Sequence, residues 1–121
     1  MLFAASCGSG DREADLIEIS DGFHAALERR DGAGACSRVS ADTVATLEQQ
    51  EKRPCSEAIL ELDLPAGARA SGAGVYVTSG YAALPGSRVA FLDQGPDGWH
   101  VSAAGCVPSV PGHPFDCELG G

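Results

Sequence analysis

The positions of apolar residues divide the chain into a helical first half and an extended second half. Between Asp11 and Asp31, Leu16, Ile19, Phe23, Ala26 and Leu27 recur at intervals of three and four, leaving Glu13, Glu28 and Arg29 for solvent. That spacing predicts an amphipathic helix with one buried stripe. It is expected to stop at Asp31-Gly32-Ala33-Gly34, where glycine adopts the left-handed C-cap conformation without strain. Ser40 is placed as the N-cap of a second helix running to about Lys52, with Asp42 in its first turn and Val39 and Val44 at hydrophobic-staple positions. Arg53-Pro54 closes that helix, and Ser56 is expected to cap a short third segment carrying Ile59 and Leu60 before Leu64-Pro65.

After the loop composition of Ala66 to Gly72, the pattern turns to short β-branched and aromatic runs. Val75-Tyr76-Val77-Thr78, Tyr81-Ala82-Ala83-Leu84 and Ser87 to Leu92 read as strands, the last with Val89 and Phe91 in alternation. Gly95-Pro96-Asp97-Gly98 is a turn leading to Trp99-His100-Val101-Ser102-Ala103, where Trp99, Val101 and Ala103 share one face and His100 and Ser102 the other. A last segment, Pro114 to Leu119, puts Phe115, Cys117 and Leu119 on one face. Helices followed by a run of antiparallel strands predict an α+β domain with N-terminal helices packed on a curved antiparallel sheet.

Length and composition narrow the function. A chain of 121 residues fits one domain with one modest core. Ala and Gly supply much of its apolar content, and four Phe, two Tyr and one Trp leave that core thin. Seventeen acidic against eight basic residues give a net charge of −9, which repels nucleic acid and anionic lipid. No apolar run approaches the roughly 18 residues a membrane helix needs, so any membrane attachment must be covalent.

A covalent route is written at the start. Ala4-Ala5-Ser6-Cys7, followed by Gly8-Ser9-Gly10, resembles a bacterial lipobox, in which small residues precede a cysteine that receives diacylglycerol. Ala stands where Leu is commoner, and the basic n-region and full apolar h-region are missing ahead of it. The expectation is a start assigned too far downstream, with residues 1–12 as signal remnant and tether and residues 13–121 as the domain. Lipid on Cys7 would place the domain on the outer face of the cytoplasmic membrane.

Setting Cys7 aside leaves four cysteines, Cys36, Cys55, Cys106 and Cys117, an even number that suits two disulfides in an oxidising compartment. Three pairings are open. The local ones, Cys36–Cys55 and Cys106–Cys117, are preferred because each closes a modest loop containing a turn signal. A zinc site at Cys106, His113 and Cys117 lacks the short Cys-Cys spacing of zinc knuckles. No metal and no cofactor is expected.

The order of elements resembles the NTF2-like and SnoaL-like superfamily over about residues 14–106, most specifically where the Phe23–Asp31 helix end meets Asp97-Gly98-Trp99-His100-Val101. With Cys36, Pro54-Cys55, Ala103-Ala104-Gly105-Cys106 and Phe115-Asp116-Cys117, the same residues are similar to a family of uncharacterised actinobacterial lipoproteins. The resemblance implies an NTF2-like, cystatin-like cone of helices on a curved sheet. It implies no activity, because isomerases, dehydratases and plain binding modules share that fold.

SnoaL-like enzymes resemble one another in carrying an acid–base Asp or His–Asp pair inside the cone, whereas the inward strand positions here are apolar. His100 falls opposite the presumed core, His24 is placed at the edge of the buried helix stripe, and His113 sits in a Pro-Gly-His-Pro loop. No nucleophile elbow or phosphate loop occurs, so no catalytic residue is assigned. Two binding readings remain. A cone pocket would be lined by Phe23, Leu27, Leu47, Tyr76, Phe91 and Trp99. The leading expectation is instead a non-catalytic accessory or interaction module that meets a protein partner at the membrane surface through its exposed sheet face or edge, with Tyr81, Arg88, His100 and Ser102 as candidate surface. Oligomeric state is not legible in the chain.

Overall fold

The fold is described from a computed structural model covering residues 9–109, 111–112 and 115–120; Cys7 and His113 lie outside these described residues. Four helices precede one antiparallel sheet: α1 (Ser9–Glu28), α2 (Gly32–Cys36), α3 (Ala41–Glu51) and α4 (Cys55–Ala58), the last continued by a 3-10 turn (Ile59–Glu61). The strands β1 (Gly72–Tyr76), β2 (Ser79–Leu84), β3 (Arg88–Gly95) and β4 (Gly98–Cys106) form a meander in that order. The architecture is α+β, with N-terminal helices packed against the sheet.

Helix α1 starts at Ser9, so residues 9–12 are helical. Its first turns are held down by Arg12. That guanidinium donates to the Val77 carbonyl and to Gln94 Oε1 and stands 5.6 Å above the Trp99 ring. Leu16, Ser20, Phe23, His24 and Leu27 form the buried stripe. The chain leaves α1 through Arg30 at φ 58°, not through glycine. Gly32 instead opens α2, which Asp31 caps by accepting the Gly34 N–H. A Cβ at Gly32 would strike the Ser56 backbone, so the absent side chain is what lets α2 lie against α4. The Cys36–Cys55 disulfide ties the same two helices.

Two expected caps act differently. Ser40 precedes α3, but its hydroxyl donates to Thr43 Oγ1, and Thr43 donates to the Ser102 carbonyl, fastening the helix start to β4. Ser56 lies inside α4; Pro54 takes the N-cap position, and Glu48 accepts the Cys55 N–H.

β1 begins and ends earlier than the β-branched run suggests. Tyr76 pairs with Ser79, which makes Val77-Thr78 the hairpin turn, with Val77 at φ 54° and 81% exposed. The inner face of the sheet carries Ala73 and Val75 from β1, Gly80, Ala82 and Leu84 from β2, Ala90 and Leu92 from β3, and Trp99, Val101 and Ala104 from β4. β4 shifts register twice against β3, so after Ser102 the residue turned to the core is Ala104 and not Ala103.

The outer edge of β4 is covered by a parallel bridge from Val39 to Val101 and an antiparallel one from Leu119 to Ala104, and Val107, just past the strand, bridges to Asp116. The C-terminal segment is therefore two isolated bridges, not a strand. Phe115 and Leu119 also part company: Leu119 enters the core, whereas Phe115 stays on the outside. The second disulfide, Cys106–Cys117, clamps this segment to the end of β4.

The core cluster mixes Leu, Ile and Val with six alanines and has two aromatics, Phe23 and Trp99, so in a domain of this size the cross-links add a substantial share of the stability. Replacing both Cys36 and Cys55 by Ser reopens a loop of 19-residue separation and is expected to lower unfolding free energy by about 3 kcal/mol. Urea denaturation of the variant beside the parent measures it.

Candidate functional site: the outer face of the sheet

The alternation that turns Ala and Leu inward turns the aromatics outward. On β3, Ala90 and Leu92 are buried in the core, so Val89, Phe91 and Asp93 point away from the helices. Phe91 pairs with Tyr81 on β2 and with Ala103 on β4, and Gly74 on β1 lies across from Tyr81. A Cβ at Gly74 would collide with the Tyr81 ring, so the ring lies flat over β1 because that position has no side chain. Tyr76 stacks against Tyr81 with centroids 6.3 Å apart, and Phe115 meets Phe91 edge-on at 5.3 Å.

The result is a continuous aromatic strip, Tyr76, Tyr81, Phe91 and Phe115, crossing three strands and the C-terminal segment. Tyr76 is 64% exposed and Phe115 39%. The chain has seven aromatic residues, and Phe3 lies outside the described region. Only Phe23 and Trp99 serve the core, and the other four form this strip. Polar groups edge it: Ser79 donates to Asp93 Oδ1 at 3.2 Å, and His100 stands opposite Asp93 in the β3–β4 register.

The six residues placed in a cone pocket separate in the structure. Phe23, Leu27, Leu47 and Trp99 pack together in the core, while Tyr76 and Phe91 sit on the other side of the sheet and line nothing with them. The physical reason is parity: a residue one position along a strand faces the opposite way.

The other candidate surface residues are dispersed over separate grooves. Ser102 contributes to one of about 490 Å³ with Asp42, Thr43, Thr46, Gln50 and Glu118. His100 contributes to one of about 390 Å³ beside Ser40 and Asp97, and Arg88 to one of about 190 Å³ beside Asp63 and Asp116. The Ser102 hydroxyl is itself engaged, donating to the Phe91 carbonyl at 3.2 Å. Among the described residues, no three His, Cys, Asp or Glu side chains are grouped to hold a metal ion, and no helix is long and apolar enough to cross a membrane.

His24 departs from expectation by being wholly buried rather than at the stripe edge. Its Nδ1 lies 2.8 Å from the Ser20 carbonyl, which can only accept, so the proton is assigned to Nδ1. Nε2 faces the core without a hydrogen-bond partner among the described residues. An imidazole with no solvent exposure offers no route to a substrate. Burial pushes its pKa below the ordinary histidine value, against the opposing pull of the Ser20 carbonyl and Asp21.

Comparison with known proteins adds no relative: no family model, no curated protein and no solved structure matches the chain.

The buried imidazole gives the fold a pH dependence of fixed sign. With the folded-state pKa depressed, the unfolded chain binds the proton more readily, so stability is present above the unfolded value of about 6.5 and is lost as pH falls below it. Unfolding free energy is expected to be smaller at pH 5.5 than at pH 7.5, and His24→Leu to narrow that gap. Urea titrations at both pH values measure it, and an unchanged gap in the variant would assign the dependence elsewhere.

Proposed function

We propose that this chain is a non-catalytic interaction module of the extracytoplasmic surface, anchored by lipid on Cys7, that docks a protein partner on the outer face of its sheet. The observation that carries the reading is the aromatic strip. A chain with a thin core places four aromatics where they stabilise little, and a contiguous apolar patch on a soluble face marks an interaction surface. Tyr and Phe on a rigid sheet also present large contact area at small entropic cost.

The compartment rests on the cysteines. Two disulfides suit an oxidising environment outside the cytoplasm, and they leave Cys7 as the fifth cysteine, within its lipobox-like Ala4-Ala5-Ser6-Cys7. The order of helices followed by an antiparallel meander is compatible with the NTF2-like resemblance, which contributes the scaffold and no chemistry. The non-catalytic reading is supported by the apolar inner face of the sheet and by His24, whose wholly buried ring has no solvent access.

The test has two parts. The chain is expressed with its upstream coding sequence in an actinobacterial host, extracted in detergent and weighed intact, with and without reduction. Diacylglyceryl mass on an N-terminal Cys7 together with two disulfides is the expected result; an unmodified Cys7 with free thiols elsewhere ends the anchored reading. A photoreactive benzoyl-phenylalanine placed at Tyr81 is expected to give a discrete protein adduct in those cells, and one placed at Glu18, on the exposed side of α1, is not. Identical adducts from both positions would remove the docking face.

A further inference from the structure

The β1–β2 hairpin tip carries two features the fold does not need. Tyr76 and Val77 are the two most exposed large apolar side chains described. Val77 is also β-branched in the left-handed region, at φ 54°, where such a residue is strained and glycine is not. Strain kept at an exposed apolar position points to a use outside folding.

The tip lies beside the start of the chain. Arg12 bonds the Val77 carbonyl, and the register of β3 with β4 sets the Pro96-Asp97 turn at the same end of the sheet. Along a helix, Arg12 is about 4.5 Å from Ser9, and two further residues span at most about 7 Å. Only a short stretch of chain thus separates Cys7 from Arg12 in the sequence. A lipid on Cys7 would hold the thioether in the headgroup layer and bring the hairpin tip to the bilayer surface with it.

We infer that Tyr76 and Val77 form a second membrane contact, seated among zwitterionic lipid headgroups beside the Cys7 anchor, that fixes the orientation of the domain. This inference rests on the lipoprotein reading. Tyrosine is favoured at the water–lipid boundary because its ring is apolar and its hydroxyl is polar. The acyl chains supply retention, but a single tether leaves the domain free to rotate; a second contact removes that freedom. With the tip down, β2 to β4 rise from the surface and the aromatic strip above Tyr76 stands clear of the bilayer for a partner. Asp11 and Glu13 on α1, Asp93 on β3 and Asp97 in the neighbouring turn, with Arg12 the cation at this end, disfavour anionic headgroups.

The test uses the full chain. Cys7, the cysteine outside the two disulfides, is coupled through a maleimide phospholipid to phosphatidylcholine vesicles, and the coupling is checked by mass. Tyr76→Trp is compared with Phe115→Trp, which lies beside the Val107–Asp116 bridge beyond the far end of β4. Trp99, 3% exposed in the core, gives both variants the same background. Emission from position 76 is expected to shift to the blue and to be quenched at least twofold more by dibrominated phosphatidylcholine than emission from position 115. Adding Val77→Gly to the Tyr76→Trp chain is expected to raise Tm by relieving the backbone and to weaken the quenching. Equal quenching at positions 76 and 115, or none at 76, overturns the inference. Because the lipid is attached chemically, this outcome is separate from whether cells modify Cys7, which the intact mass decides.

Discussion

The structure turns on how closely α1 lies against the sheet. At Gly80 in β2, an added Cβ would strike the Leu16 side chain and the Gly74 carbonyl, with the Trp99 ring just beyond. That approach is possible because the inner face carries Gly80, Ala82, Ala90 and Ala104 among its larger residues Leu84, Leu92, Trp99 and Val101. Small residues bring the helix close, but they also limit the apolar area removed from water. The domain compensates with covalent ties and local clamps. Cys36–Cys55 joins α2 to α4, Cys106–Cys117 joins β4 to the C-terminal segment, and Asp21 and the His24 carbonyl hold the loop before β1 through Ala70 and Gly67.

The same close approach bears on the outer face. Where α1 sits on β2 the inner positions are Gly80 and Ala82, and the aromatic of that strand, Tyr81, takes the outer face; elsewhere Leu84, Leu92, Trp99 and Val101 fill the inner face. Tyr81, Phe91 and Phe115 occupy the outer side, and Gly74 makes space for the Tyr81 ring to lie over β1. Among the described residues, Phe23 and Trp99 lie in the core and Tyr76, Tyr81, Phe91 and Phe115 outside it.

His24 carries the opposite kind of consequence. Its ring sits on the buried stripe between Ser20 and Leu27, edge-on to Phe23 at 5.0 Å, with one nitrogen bonded to the helix backbone. In that setting the neutral form is the one the core accepts. His24 is thus a buried side chain whose charged form the fold resists.

The sequence by itself determined the order of elements and the long amphipathic helix, because a repeat of three and four residues in Leu16, Phe23 and Leu27 and short runs of β-branched and aromatic residues are local signals. The turn at Pro96-Asp97 and the end of α3 near Lys52 were legible for the same reason. On β4 the reading of Trp99 and Val101 as inward and His100 as outward holds, whereas on β3 only the tertiary structure decided which face is the core. Along β3 both alternating sets, Ala90 with Leu92 and Val89 with Phe91, are apolar, so the pattern carries no preference of its own. The larger set was the natural choice for the interior, and the close seat of α1 on Gly80 reverses it. The β4 bulges after Val101, the turn at Val77 and the burial of His24 likewise depend on contacts made by residues far apart in the chain, and a one-residue shift there moves every following side chain to the other face.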